Sequence, residues 1–383
     1  MVNKKTVGMI TMHKVINYGS ALQAYALQKV IADMGYGCEI IDYIFPNNYH
    51  LSEQELQARK ITWKSYVKKY MPVKSAWRNI QIKHYKIKRF WGKHFKLSSM
   101  TYSTPGELQS STPVYDIYVT GSDQVWNPRF MKGDPSFFLS FTPEGAQKVA
   151  FSPSFACAEI PDSHVPAYKK LLSEYTHISV REQNGAQIVK NLLDRNVPVT
   201  LDPTLLLTPV EWKRLCPAPK KKSPRQQYIL AYVLNYAFNV VPYIYDLIKH
   251  VQKELGYEVI FLGVVPKELK HVAKSAIGVG PIEFLDFFEN ASFVVSSSFH
   301  GTSFAANYNI PFYTVVDGNT GNDDRQLSLM RTLGIESRAV PVGTDFSALK
   351  QDEWDAEEVQ CNLAIQRDSS LLYLGEALRG AVV

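Results

Sequence analysis

A chain of 383 residues that is 45% hydrophobic and 20% charged is too long for one ordinary core and too apolar for a disordered chain, so two globular domains are expected. Cys38, Cys157, Cys216 and Cys361 are scattered with no CxxC pair, which argues against a disulfide framework or a cysteine zinc site and fits a reducing compartment. No signal-type apolar region follows Met1 and no apolar run reaches spanning length, so the expected location is cytoplasmic.

Taken in order, Thr6–Met12 reads as a buried first strand. A polar loop, His13 to Ser20, leads into a helix from about Ala21 to Met34 that Gly35 ends, and Cys38–Tyr43 is the second strand. This β-loop-α-β order opens a parallel, doubly wound sheet. The loop stands where a dinucleotide fingerprint would, yet it holds no G-x-G-x-x-G and no Walker A lysine, so neither a nicotinamide nor an ATP reading is supported.

The net charge of +6 is unevenly spread. Between Glu55 and Glu107 there is no acidic residue, while thirteen cations run from Arg59 to Lys96; without them the rest of the chain would be net negative. Tyr66, Tyr70, Trp77, Tyr85, Phe90, Trp91 and Phe95 are interleaved. Residues of about 56–106 read as a basic helical insertion in the first domain. The competing readings are a solvated helix packing its aromatics on the body, peripheral contact of residues 59–96 with an anionic membrane at its inner face, and nucleic acid, the last disfavoured.

The sheet resumes at Val114–Thr120 and ends in Gly121-Ser122-Asp123-Gln124-Val125-Trp126-Asn127-Pro128. Polar and aromatic groups at a strand's carboxyl end suit a ligand loop, although such an aspartate more commonly caps a helix or closes an Asx-turn. Val149–Phe155 and His177–Val180 are further strands. After the second, Arg181 can grip a carboxylate through two nitrogens or simply pair with Glu182. Val197–Leu207 reads as one strand or two. The prolines and lysines between Pro209 and Pro224 mark a domain boundary.

A second βα series follows: strand Tyr228–Leu234, helix Val241–Leu255, strand Glu258–Leu262, helix Pro281–Asn290, strand Phe293–Ser297, helix 301–308, strand Phe312–Val316 and helix Arg325–Leu333. The domains are thus expected at residues 1–208 and 225–360, with a helix in 361–383 packing across them. Within Phe293–Phe304 an apolar strand stops at three serines, His300 follows, and small hydroxylic residues open a helix, a turn whose backbone N–H groups suit an anion. A lone histidine is more often a structural hydrogen bonder than a catalyst, but these small neighbours permit close ligand approach. There is no G-x-S-x-G elbow, no histidine pair at metal-ligand spacing and no D-x-D motif at a strand end. The residues alone point to a two-domain α/β transferase with an anionic donor and no metal. Its cleft would gather His13, Asn17, Tyr18, Ser20 and Asp123 from the first domain, Ser298, His300, Thr302 and Arg325 from the second, and Arg181 near the join.

Asn17-Tyr18-Gly19-Ser20-Ala21-Leu22-Gln23-Ala24-Tyr25-Ala26-Leu27-Gln28, Gly121 to Asn127, Ser179-Val180-Arg181-Glu182, Leu201-Asp202-Pro203-Thr204 and Ser298-Phe299-His300-Gly301 occur in the order seen in the polysaccharide pyruvyl transferase family, which the chain resembles over roughly residues 6–335. The resemblance implies a GT-B glycosyltransferase architecture of two Rossmann-like domains. It implies transfer of the enolpyruvyl group of phosphoenolpyruvate, the co-substrate, onto two hydroxyls of a sugar in a cell-surface polysaccharide or its lipid-linked precursor. A pyruvate ketal forms and phosphate leaves, with no metal or other cofactor implied. His300 matches the family's histidine and Arg181 the arginine after Ser-Val.

On that chemistry His300 is the expected acid, Arg181 the holder of carboxylate or phosphate, and Asp123 the acceptor of the attacking hydroxyl's proton. Ser298, Gly301 and Thr302 would form an anion hole, with Arg325 as a further donor-binding residue. His13, Asn17, Tyr18, Ser20, Gln23 and Asn127 would hold the acceptor, with Trp126 stacked on it. One departure stands out: many relatives carry Thr-Asp-Ser before Phe-His-Gly, whereas this chain has Ser296-Ser297-Ser298, with Ser297 at the aspartate position. The alternatives are a GT-B glycosyltransferase with a nucleotide-sugar donor and a non-catalytic glycan-binding protein of polysaccharide assembly.

Overall fold

The computed structural model describes residues 4–47, 50, 74–216, 227–235, 238–318, 323–349 and 354–380, with side chains of the helix at 74–94 described from residue 79 onward. The expected features at 56–73 and the 217–224 half of the Pro209–Pro224 stretch lie outside these residues. The chain forms two compact units, Met1–Pro203 with Ser370–Val383, and Thr204–Ser369.

The first unit is built on a parallel sheet of β1 (Thr6–Ile10), β2 (Gly37–Tyr43), β3 (Leu97–Tyr102), β4 (Ile117–Thr120), β5 (Gln147–Ala150) and β6 (His177–Ile178), in the order β3-β2-β1-β4-β5-β6. β1 is central and its Val7, Met9 and Ile10 are fully buried, as a strand covered on both faces requires. Gly8 lets Tyr115 cross it: a Cβ there would lie 2.1 Å from the Tyr115 ring. Helix Tyr18–Asp33 starts three residues before the expected position because Asn17 caps it.

The expected basic insertion is corrected. Helix Lys74–His94 is the crossover between β2 and β3, and β3 is a strand the sequence did not announce. Leu97-Ser98-Ser99-Met100-Thr101-Tyr102 is mostly polar and half exposed, because an edge strand has one side to bury.

The second unit repeats the plan with β7 (Tyr228–Tyr232), β8 (Glu258–Leu262), β9 (Ala273–Ala276), β10 (Phe293–Ser296), β11 (Phe312–Val316) and β12 (Ala339–Pro341), parallel in the order β12-β11-β10-β7-β8-β9. Counted from each unit's first strand, both sheets have the doubly wound order 3-2-1-4-5-6, as expected of two Rossmann-like domains. Val197–Leu207 is not a strand. It makes one isolated bridge, Val180 with Val199, and a single 3-10 turn at Pro203–Leu205.

The long helix Ala356–Arg379 contributes to both units. In the second, Arg367 Nε donates to Leu205 O at 2.7 Å and Gln360 Nε2 to Ala306 O at 3.0 Å. In the first, Ser370 Oγ accepts from Leu201 N–H at 3.0 Å, and Ala377 O accepts from Gln147 Nε2 at 2.7 Å.

Candidate functional site

In a doubly wound sheet the order reverses beside the first strand, and loops leaving the two adjacent carboxyl ends diverge to leave a crevice. The reversal falls between β1 and β4 in the first unit, where Ile10 pairs with Thr120, and between β7 and β10 in the second, where Tyr232 pairs with Ser296. Most of the expected site residues stand at these two places.

At the first reversal, Asn17 Oδ1 accepts from the Gly19 and Ser20 N–H groups at 2.8 and 3.3 Å, which seats Ser20 in the opening helical turn. Ser20 Oγ donates to Asp123 Oδ2 at 2.6 Å. Asp123 has φ +75°, a left-handed conformation that costs a non-glycine residue strain. Its Oδ1 accepts from Gln124 N–H at 2.9 Å and its carbonyl from Ser154 N–H at 2.9 Å. Gln23 Nε2 donates to Thr11 Oγ1 at 2.9 Å, and Thr11 Oγ1 donates to Ser122 O at 2.8 Å, so the two loops are laced together. Gln23 Oε1 is buried without a hydrogen-bond partner among the described residues.

Three motifs distant in sequence converge beside Asp123. Asp202 Oδ2 accepts from Arg181 Nη1 at 2.8 Å and from Ser122 Oγ at 2.9 Å. Glu182 Oε1 accepts from the Phe155 and Ala156 N–H groups at 2.9 and 3.2 Å and from Ser154 Oγ at 3.0 Å. Burial disfavours the Arg181 charge, but the carboxylates of Asp202, Asp123 and Glu182 outweigh it and hold the guanidinium above its ordinary pKa. Ser152 and Ala156 also have positive φ, 56° and 50°, so left-handed backbone is concentrated at the carboxyl ends of β4 and β5.

A further buried carboxylate stands near the carboxyl end of β2. Asp42 Oδ1 meets His13 Nε2 at 3.0 Å, and its Oδ2 accepts from Lys14 Nζ at 2.7 Å and Thr101 Oγ1 at 2.6 Å. Burial pushes the Asp42 carboxyl up, but the hydrogen bonds from His13, Lys14 and Thr101 win and hold it well below the usual carboxylate range.

The second reversal is built from hydroxyls. Ser296 Oγ donates to Tyr232 O at 2.8 Å and accepts from Ser298 N–H at 3.0 Å. Ser297 Oγ donates to Leu234 O at 2.7 Å and accepts from Leu234 N–H at 2.9 Å, joining the ends of β10 and β7. Ser298 caps helix Phe299–Asn307, its Oγ accepting from Gly301 N–H at 3.4 Å. Gly301 is sterically required: a Cβ there would lie 2.2 Å from Ser296 Oγ and 3.1 Å from the Tyr232 ring. His300 lies in the first turn, 8% exposed, edge-on to Phe299 at 5.3 Å.

At the end of the neighbouring strand β11, Asp323 Oδ2 accepts from the Asp317 and Gly318 N–H groups. Burial pushes its carboxyl up. Arg325 and Gln326 open helix Asp324–Leu333, both buried, and Arg325 Nε, Gln326 Oε1 and Asp323 Oδ1 have no hydrogen-bond partner among the described residues.

The geometry revises several assignments. Trp126 is fully buried, stacked on Phe138 at 5.4 Å with its indole N–H donated to Phe137 O, so it packs the core and offers no face to a sugar. Asn127 caps the short helix Pro128–Met131 and spends its amide on Gln124 Oε1 at 2.8 Å. Asn17 likewise caps, and Tyr18 is buried with Lys83 Nζ 4.4 Å above its ring. His13 is buried, its ring nitrogens facing Thr11 O and Asp42. Arg181 grips a carboxylate as expected of it, but that of the chain's own Asp202.

The Ser298–Gly301–Thr302 anion hole is not formed. Gly301 N–H is taken by Ser298 Oγ, Thr302 N–H by Ser298 O, and Thr302 Oγ1 lies 3.1 Å from Ser298 O and 2.7 Å from Thr314 Oγ1. The structure does bring Ser20, Gln23 and Asp123 together at one reversal, and it places His300 and Arg325 at the strand ends of the other unit. The pairing of Arg181 with Glu182 was one of the expected alternatives, but that of Asp202 with Arg181 was missed, although both stand in recognisable motifs, because sequence spacing says nothing of contacts between strand ends. Among the described residues no three or more His, Cys, Asp and Glu side chains are grouped to hold a metal ion, and no helix is long and apolar enough to cross a membrane.

Two doubly wound parallel sheets in succession, each with its polar residues gathered at the reversal of strand order, define a two-domain α/β protein of the GT-B class. The chain belongs to the polysaccharide pyruvyl transferase family, whose model matches residues 17–319. No curated protein matches it. Solved structures share the fold at low identity. The UDP-N-acetylglucosamine 2-epimerase from Rickettsia bellii is similar with TM-score 0.51 and 12% identity, over 98% of this chain and 95% of that one. MnaA of S. aureus, solved with UDP, is similar with TM-score 0.50 and 10% identity, over 97% and 91% of the two chains.

Proposed function

We propose that this protein transfers the enolpyruvyl group of phosphoenolpyruvate to two hydroxyls of one sugar in a surface polysaccharide or its lipid-linked precursor, forming a pyruvate ketal. Family membership supports the reaction class. The observation that carries the residue assignment is the placement of His300 and Arg325, both buried, at the strand ends of the second unit, with His300 following serine hydroxyls bonded to backbone. In the first unit Asp123, fixed by Ser20 and by its own backbone, suits a hydroxyl's proton.

In the proposed sequence His300 gives a proton to the donor's methylene carbon, which becomes a methyl group. The cationic carbon is attacked by the first sugar hydroxyl, whose proton passes to a general base. The carbon–oxygen bond to phosphate then breaks, with the electron pair leaving on phosphate. The second hydroxyl adds to the oxocarbenium carbon and its proton returns to His300, while the first hydroxyl's proton leaves with the phosphate, so that acid and base are both restored. No oxidant, reductant or metal enters this scheme. Arg325 would neutralise the donor's carboxylate or phosphate. Phosphoenolpyruvate is a cytoplasmic metabolite, so the reading places the protein in the cytoplasm.

The test is phosphate release from phosphoenolpyruvate with lipid-linked and model glycosides as acceptors, paired with thermal shifts. Acceptor-dependent phosphate release and a melting point raised by phosphoenolpyruvate are expected. A melting point raised by nucleotide sugars and not by phosphoenolpyruvate would replace this reading with a nucleotide-sugar glycosyltransferase. A response to glycans alone, with no phosphate released, would leave a glycan-binding protein.

A further inference from the structure

We infer that the outward face of helix Lys74–His94 is a docking surface for an anionic lipid bilayer. The helix turns Ile87, Phe90 and Trp91 inward, 0, 3 and 7% exposed, and Tyr25 meets Phe90 edge-on at 5.9 Å. With 3.6 residues per turn, the opposite stripe presents Gln81, Tyr85, Lys88, Arg89 and Gly92, flanked by Lys93, all exposed. The helix is therefore held from behind and shows one cationic face.

Three features distinguish this face from a solvated one. A solvent-facing helix ordinarily mixes charges of both signs, but this helix has seven Lys and Arg residues and no Asp or Glu, and β3 behind it has none either. Lys88, Arg89 and Lys93 make no ion pair among the described residues. Burial and the neighbouring Lys83 and Lys88 hold His84 below its ordinary pKa, as expected in an uncompensated positive field. Tyr85 stands 63% exposed within the stripe. An amphipathic ring among cations suits the headgroup layer of a bilayer, where its apolar body and hydroxyl are both accommodated. The inference does not depend on the transfer chemistry and can fail independently of it.

The test is co-sedimentation of the full chain with vesicles of 70% phosphatidylcholine and 30% phosphatidylglycerol. Binding is expected at low salt, near 50 mM, with a loss of at least tenfold near 500 mM, and weak binding to pure phosphatidylcholine. Neutralising three surface cations in Lys88→Gln/Arg89→Gln/Lys93→Gln should weaken binding about 100-fold, with an unchanged melting point. A second variant keeps the test free of folding artefacts. Nothing lies within 4 Å of a Cβ built at Gly92, so Gly92→Glu is tolerated and should weaken binding about fivefold, while Gly92→Gln should not. Equal binding to neutral vesicles, salt-independent binding, unchanged binding by the triple variant, or retention on duplex DNA without vesicle binding would overturn the inference.

Discussion

The two sheets share one strand order and differ in what stands at its reversal. Between β1 and β4 the polar groups are charged: Asp123 beside Ser20, Asp202 and Glu182 around Arg181, and Asp42 with His13 and Lys14. Between β7 and β10 they are serine hydroxyls bonded to backbone, with His300 in the first helical turn beyond. Topology therefore sets where polar groups collect, and side-chain charge sets what each place can accept. A carboxylate-rich end suits neutral hydroxyls that must lose protons. A hydroxyl-lined end with a nearby guanidinium suits an anion.

Substitutions can break this contrast, beginning with the largest effect. His300→Ala should lower phosphate release from phosphoenolpyruvate about 10²–10⁴-fold, the usual span for a lost general acid, with little change in melting point. Undiminished release would remove the second reversal from the chemistry. Asp202→Ala removes the hydrogen-bonded carboxylate of the buried Arg181 charge, and a urea titration should show a loss of about 3–5 kcal/mol, as for other broken buried pairs. A loss below about 1 kcal/mol would mean that water reaches Arg181 and that its pairing is marginal. Ser297→Ala removes both hydrogen bonds to Leu234, and about 1–3 kcal/mol should be lost from the second unit.

The acid limb sharpens the contrast through opposite signs. Asp42 is held below the ordinary carboxylate value of about 4, so its stabilisation is in place above that pH and is lost as pH falls through the folded value. Asp323 is pushed up, so its ionisation costs stability as pH rises past about 4. Stability measured from about pH 6 to about pH 2 should therefore fall less steeply on acidification in Asp42→Asn than in the parent, and more steeply in Asp323→Asn. The smallest expected effect is that of Asn17→Ala, about 1 kcal/mol for a lost helix cap, read from the urea midpoint.

Central strands were legible in the sequence and edge strands were not. Phe293–Ser296 and Phe312–Val316 are buried throughout and announce themselves as apolar runs. β3, β9 and β12 escape notice because Ser99, Lys274, Ser275 and Pro341 are exposed at sheet edges, where pairing with a single neighbour supplies the order. The basic segment was legible in its charge and misread in its place, since it is the parallel pairing of Leu97–Tyr102 with β2 that makes helix Lys74–His94 a crossover. In the site, motif residues were found correctly at strand ends, but their employment was not. Trp126 and Asn127 look like ligand groups in the string Gly121–Pro128, and packing turns them to the core and to a cap.

The sequence by itself determined the βα alternation in both halves, the apolar central strands, the glycine and hydroxyl residues at their ends, and the family. These are local properties, carried by periodicity, capping chemistry and motif order. Tertiary structure decided which strand ends lie side by side, and so which polar groups meet. Asp202 reaches Arg181 and Ser122 across gaps of 21 and 80 residues, and His13 reaches Asp42 across 29. The physical reason is that a buried charge is tolerable only with a partner, and that partner is chosen by strand pairing in space. The exposed cations of helix Lys74–His94 show the converse: their number is written in the sequence, and their common outward face exists only because Ile87, Phe90 and Trp91 are buried on the other side.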